Sequence, residues 1–325
     1  MHSALLVLVA TTSPATAPPE SRPLGRAALQ LESEGIPVLF GDRIRAGRAS
    51  GWRARPGHWE EDKERPFSAV HDRYPSEGRR SEWESLLPAL DTVPLGNPPN
   101  LTLLCKDKLR CQRVLEGAGF HLPPVEGDER RFEQRLADWG AAFLKPRYGS
   151  RGEGIRLLRR GDPLPPDSIG PQLLQRAVEA PSGLAGLALR ILVQRQADGG
   201  WWLGTVVARR STVDPVVNAA RGAQVVPAED TLGADCLQEV RDQALAVARL
   251  LASRPGGALL LELGLDFVVD PAGLPQLIEV NSCPRGRLLS LASSDPRRYQ
   301  ELHRQACERP LRRLLALSSP RTAPA

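Results

Sequence analysis

The apolar and polar positions divide the chain into short alternating elements. Ala4 to Val9 is an unbroken apolar run of strand length, Leu24 to Glu34 follows as a helix, and Ile36 to Phe40 is a second strand ended by Gly41-Asp42. This βαβ-like opening predicts a small α/β layer. Between about Arg43 and Arg80 the chain is polar, charged and Pro-bearing, with only Ser68-Ala69-Val70 as a short strand and Arg79 to Leu87 as a helix. Asn97-Pro98-Pro99-Asn100 is a breaker and marks a domain boundary, giving a first domain of about 1–96. Beyond it the spacing predicts helices at Asp107 to Gly117, Arg130 to Trp139 and Ala234 to Leu251, and a terminal helix from Pro296 to Leu317 interrupted near Pro310. Strands are expected at Ala141 to Lys145, Ile155 to Leu158, Leu173 to Gln175, Arg190 to Gln196 and Trp201 to Arg209.

The most informative stretch is Gly264 to Arg285. Asp270-Pro271-Ala272-Gly273 is a turn signal between two apolar-rich runs, hence a β-hairpin. Asp266 alternates with Leu265 and Phe267, and Glu279 and Asn281 share one face of the second strand. If the turn is centred near Ala272 and Gly273, Asp266 lies opposite or diagonal to Glu279. Two carboxylates so placed, with few other charges nearby, repel unless a cation lies between them. Hard oxygen donors of this kind suit Mg²⁺, while a surface hairpin with solvated acids is the alternative.

Composition narrows the picture. The chain has 325 residues, of which 41% are hydrophobic and 25% charged, and no apolar run reaches membrane-spanning length. The N-terminus lacks Lys or Arg before its apolar run, so a buried strand is expected there in preference to a signal peptide. Five scattered cysteines without a CxxC pair suit a reduced, cytoplasmic protein. The formal charge of +5 is not gathered into a stripe or arm, so neither nucleic acid nor membrane is an expected partner. Of 43 basic residues only four are lysine: Lys63, Lys106, Lys108 and Lys145. A chain that solvates itself with arginine retains lysine where a compact ammonium is wanted. Lys145 directly precedes the loop Pro146-Arg147-Tyr148-Gly149-Ser150-Arg151-Gly152-Glu153-Gly154, which opens no helix and so is neither a Rossmann fingerprint nor a P-loop. Such a loop is either a tight turn or a lid whose N–H groups close over phosphate.

In order along the chain, FLKPRYGSRGEGI, LLQRAVEAP and the LGLDFVVD…LIEVNSCP hairpin resemble the nucleotide site of the ATP-grasp superfamily, over roughly Asn97 to Arg287. IEVNS and NAARGA resemble the YheC/D-like, spore-coat-associated branch and the ribosomal-protein glutamate-ligase and glutathione-synthetase branches. The resemblance implies an α/β protein in which a pre-ATP-grasp domain (about 1–96) precedes an ATP-grasp module of two α+β lobes, about 97–170 and 171–290, with the C-terminal helix following. It implies that Lys108 and Lys145 meet ATP phosphates beneath Gly149, Ser150, Gly152 and Gly154, with Lys106 a weaker candidate. Gln175, Arg176 and Val178 would form the adenine hinge and Glu179 would take the ribose. Asp266, Glu279 and Asn281 would hold one or two Mg²⁺ ions. Arg221, Asn218 and Arg190 would serve the transferring phosphoryl group and the acyl substrate.

Three departures bear on those implications. Ala188 stands where several relatives carry an acid two residues before Arg190, Ala223 stands where relatives often have Gly, and Gly264 replaces the arginine of D-alanine ligases. The last places more weight on Arg221. The expected function is ATP- and Mg-dependent ligation of a carboxylate to an amine or thiol through an acyl phosphate, releasing ADP. The alternative is a catalytically silent ATP-binding or coat-type protein. The carboxylate and acceptor (an amino acid, peptide or protein tail) are not legible, and a homodimer is left open. Arg73, in HDRYP, is either a surface arginine or a carboxylate ligand facing the cleft.

Overall fold

The computed structural model describes residues 3–10, 17–75, 79–149, 152–165, 170–217, 222–284 and 288–318. The first sheet contains β1 (Ala4–Leu8), β2 (Val38–Arg45), β3 (Arg48–Arg55), β4 (His58–Asp72) and β5 (Leu95–Gly96), with helices α1 (Pro23–Ser33) and α2 (Arg80–Leu86). β1 pairs in parallel with both β2 and β4. It is buried along its whole length, which is why it reads as an apolar run rather than an alternation. The stretch that looked featureless is a long ribbon of β3 and β4. Its outer half is held by charges: Glu32 accepts from both Arg53 and Arg55, and Asp62 lies against Arg53 and Arg65. Ion pairs across the ribbon, within β4 and to helix α1 replace the apolar alternation that announces a strand.

The second unit begins with α3 (Pro99–Lys106) and α4 (Lys108–Gly117), which meet at Asp107. The breaker at Pro98-Pro99 starts a helix instead of only ending a segment, because proline is tolerated at the first helical position. Then come β6 (Val125–Glu126), α5 (Phe132–Trp139), β7 (Ala141–Pro146), β8 (Arg156–Arg159) and β9 (Gln172–Arg176), forming a sheet in the order β6-β9-β7-β8.

The third sheet takes β10 (Gly186–Arg195), β11 (Trp201–Leu203), β12 (Val207–Ser211), β13 (Gln224–Pro227), β14 (Glu262–Val269) and β15 (Pro275–Asn281). The strand expected from Trp201 to Arg209 is two strands, split at Gly204, where a Cβ would press on Trp202 and the Leu192 carbonyl. One face of this sheet packs Leu189, Ile191, Leu263, Leu265 and Phe267 against Val240, Ala244 and Val247 of α6 (Ala234–Ala252). The other face is left to Arg190, Leu192, Gln194, Glu262, Gly264 and Asp266.

Two helices, α7 (Leu288–Ser294) and α8 (Pro296–Ser318), finish the described chain. α8 is continuous through Pro310, contrary to the expected interruption. Proline removes the N–H that would bond the Ala306 carbonyl, and that carbonyl instead accepts from Gln194 Nε2 at 2.7 Å. Beyond Pro310, Leu311 and Leu314 pack with Ala27, Ala28 and Leu31 of α1, so the last helix closes the core of the first sheet.

Candidate active site

The hairpin β14–β15 aligns Asp266 directly with Glu279 and Gly264 with Asn281. Of the opposite and diagonal placements the alternation allowed, an irregularity between Asp266 and Phe267 gives the direct one. The surroundings differ from the expectation of few other charges. Arg190 lies directly opposite Asp266 on β10 and donates through Nε to Oδ1 at 2.7 Å and through Nη2 to Oδ2. Arg209, one strand further on β12, donates to Oδ1 at 2.6 Å. Asn281 Nδ2 adds a contact of 3.2 Å to Oδ2. Asp266 is buried at 3% exposure, so two guanidinium groups supply the compensation a buried carboxylate needs. Sequence reasoning missed Arg209, because it stands beside Arg210 and Ser211 at the polar end of β12 and reads there as a solvated arginine. Its Nε is buried without a partner among the described residues.

The other wall comes from the middle sheet. Lys108, the first residue of α4, donates from Nζ to the Gly149 carbonyl at 2.6 Å and stands 3.8 Å from Glu279 Oε1. Asp107 caps the same helix through the Arg110 N–H at 3.0 Å. It also receives Arg147 at 2.8 and 2.6 Å and the Tyr148 hydroxyl at 3.1 Å. The start of the glycine loop is thereby tied to the lysine-bearing turn. Gly149, Gly152 and Gly154 all have positive φ, and a Cβ on Gly154 would come within 2.9 Å of the Pro146 ring. Lys145 is buried and donates to Gln175 Oε1. Burial pushes its amine down to about 8; Glu279 and Asp266 work against that shift, and Lys108 adds to it.

Lys108, Lys145, Gln175, Arg176, Val178 and Gly152 thus face Arg190, Arg209, Asp266 and Glu279 across one cleft of about 140 Å³. That is smaller than the ~300 Å³ at which small-molecule sites begin, so a nucleotide requires the walls to part. Lys108, 3.8 Å from Glu279 Oε1, is the clasp between them. Glu179 is exposed and does not line this cleft. Ser150, Asn218 and Arg221 lie outside the described residues. Of the remaining lysines, Lys106 sits over the Trp83 ring and Lys63 beside Glu61, both away from the cleft. The thiol of Cys283 is pushed up by burial, which suits a small buried residue better than a nucleophile.

Solved structures place this arrangement. The chain covers 97% of itself and 76% of N5-carboxyaminoimidazole ribonucleotide synthetase from Thermotoga maritima, with a TM-score of 0.62 at 12% identity. Against the ATP-grasp ligase PsnB complexed with minimal precursor, the coverage is 98% and 100%, the TM-score 0.59 and the identity 18%. D-alanyl-alanine synthetase A from Vibrio cholerae gives 97% and 99%, 0.58 and 15%. The chain has the ATP-grasp fold. Residues 173–317 match the family model of the YheC/D like ATP-grasp. No curated protein matches the sequence significantly. On the ATP-grasp fold, the sheet carrying Asp266 and Glu279 and the sheet carrying Lys145 are the two walls just described.

The donor set suits a hard cation. Asp266 and Glu279 are in register, and because Asn281 turns its amide nitrogen to Asp266, its carbonyl oxygen is left for a metal.

Proposed function

We propose that the protein is an ATP-dependent, ADP-forming ligase that joins a carboxylate to an amine. The observation that carries this reading is the convergence of two buried or half-buried lysines, two arginines and a registered Asp–Glu pair on one cleft. Lys108 and Lys145 would bind ATP phosphates, the first by exchanging the Gly149 carbonyl for a phosphate oxygen as the clasp opens. Gln175, Arg176 and Val178 would border the base, and Glu179, outside the cleft as it stands, would take the ribose only once the walls have parted. Asp266, Glu279 and Asn281 are the residues that would hold Mg²⁺, which when bound neutralises phosphate charge. Arg190 and Arg209, held in place by Asp266, would stabilise charge on the transferring phosphoryl group. Asn218 and Arg221 are proposed to share that role. The substrate carboxylate would take the γ-phosphoryl group, giving an acyl phosphate and ADP, and the amine would then displace phosphate. Relatives of the same fold are named as ligases or synthetases of amino acids, and PsnB is complexed with a precursor. Amino acids and peptides are therefore the first substrates to test.

A second reading, a silent ATP-binding protein, is favoured by one feature: both oxygens of Asp266 are occupied by arginines. Magnesium-dependent ADP release with pooled amino acids and dipeptides, with hydroxylamine to trap the acyl phosphate, separates the two. A hydroxamate with equal ADP and phosphate is expected, and Glu279→Gln should shift the magnesium titration. AMP and pyrophosphate, or ATP binding without any turnover, would remove the ligase mechanism.

A further inference from the structure

A second cavity lies apart from the proposed nucleotide cleft. It has a volume of about 490 Å³ and lies between the first sheet, the start of α1, and helices α7 and α8. Its walls are apolar and aromatic, chiefly Leu24, Phe40, Trp52, Trp59 and Leu289. One wall is polar. There Arg73 Nη1 donates to Glu262 Oε1 at 2.9 Å and to the Pro284 carbonyl at 3.1 Å. Glu262 is buried and also meets His71 Nε2 at 3.3 Å and Gln194 Nε2 at 2.9 Å. Burial alone would push its carboxyl up, but the His71 hydrogen bond and the charge of Arg73 outweigh that and hold it below the usual range. Glu262 is therefore a charged, fully engaged anchor whose main effect is to aim Arg73.

The remaining edge of Arg73, Nε and Nη2, meets no protein acceptor among the described residues. A guanidinium held by one nitrogen, with its Nε/Nη2 edge turned to a cavity, has the fork geometry that takes a carboxylate in bidentate fashion. His71 lines the same wall. A peptide's C-terminal carboxylate is the group that fits this fork.

The cavity and the nucleotide cleft share one face of the third sheet. On β14, Glu262, Gly264 and Asp266 point to that face, and opposite them on β10 stand Gln194, Leu192 and Arg190. Asp266 is four residue steps along the strand from Glu262, roughly 13 Å, and on this face only Leu192 and Gly264 lie between them, the latter covered by Pro284. That separation exceeds the reach of a single α-amino acid. A carboxylate on Arg73 is therefore the far end of the ligand, not the group phosphorylated near Asp266.

We infer that this cavity binds one ligation partner, a peptide of about dipeptide length whose C-terminal carboxylate sits on Arg73 and whose apolar side chain lies against Phe40, Trp52 and Trp59. The assignment rests on the ligase reading, but the binding itself can be measured without turnover. Titration calorimetry on the full chain would compare alanyl-phenylalanine, its C-terminal amide and alanyl-glutamate. The amide and the glutamate peptide should bind about tenfold or more weakly. Arg73→Lys keeps a charge beside Glu262 but loses the fork, and should weaken the acid about tenfold while leaving the amide unchanged. Trp52→Ala should weaken alanyl-phenylalanine but not alanyl-alanine, and ATP affinity should stay at the parent value in both variants. Equal affinity for acid and amide, no effect of Arg73→Lys, or no dipeptide binding to protein that binds ATP would overturn the assignment. If the dipeptide binds as expected and no ADP forms, the pocket stands and the ligase reading falls. ADP release that is indifferent to Arg73→Lys and to the peptide's terminus gives the reverse result.

Discussion

Lys145 is the residue on which pH acts most directly. Burial lowers its amine to about 8, so the free protein loses this cation as pH rises through that value. Phosphate needs the charged form, so ATP binding above pH 8 must be accompanied by proton uptake. Affinity should fall by up to about tenfold per pH unit between pH 8 and 9.5, the limit for one proton. Lys145→Arg should flatten that slope, and calorimetry across the range checks both. The folding balance has the same origin: a lysine with a depressed folded value costs stability below about pH 8, and the cost is recovered as pH rises toward the ordinary lysine value. At this scale the scarcity of lysine was readable and, with the glycine loop that follows it, singled out Lys145, whereas Lys108 was named from the family resemblance. Arg209 was not, because its partner Asp266 lies 57 residues away and only strand pairing brings them together.

The hairpin β14–β15 was legible from its alternation on both sides of a strong turn, but that alternation left Asp266 opposite or diagonal to Glu279. The irregularity between Asp266 and Phe267, which steps past Ile278, decides the direct pairing. The helix α8 was misjudged at Pro310 because the partner that relieves the proline is on another element. Gln194 on β10 bonds both the freed Ala306 carbonyl and Glu262. Gln194→Leu should therefore destabilise the protein by about 1–3 kcal/mol, through two acceptors left unpaired. Adding Pro310→Ala should recover part of that loss, since an N–H returns to the Ala306 carbonyl. In the parent the same change should gain less. A double-mutant cycle from urea unfolding measures the coupling, and strictly additive effects would mean that Gln194 does not compensate the proline.

At the scale of the whole molecule, α8 joins the ends of the chain. Leu314 is fully buried against α1 and the first sheet. Leu314→Ala should cost about 2–5 kcal/mol in urea unfolding, with ATP affinity of the folded protein unchanged because the nucleotide cleft is built from other elements. The sequence alone determined the α/β class, most elements beyond residue 97, the existence of the β14–β15 hairpin and the choice of Lys145. Each depends on local periodicity, turn chemistry or residue choice. The charged ribbon of β3 and β4, the two arginines on Asp266, the continuity of α8 and the cavity beneath Arg73 were decided by tertiary structure. In every one of these a polar group is satisfied by a partner distant in sequence, and a buried charge or carbonyl reveals its partner only when the chain has folded.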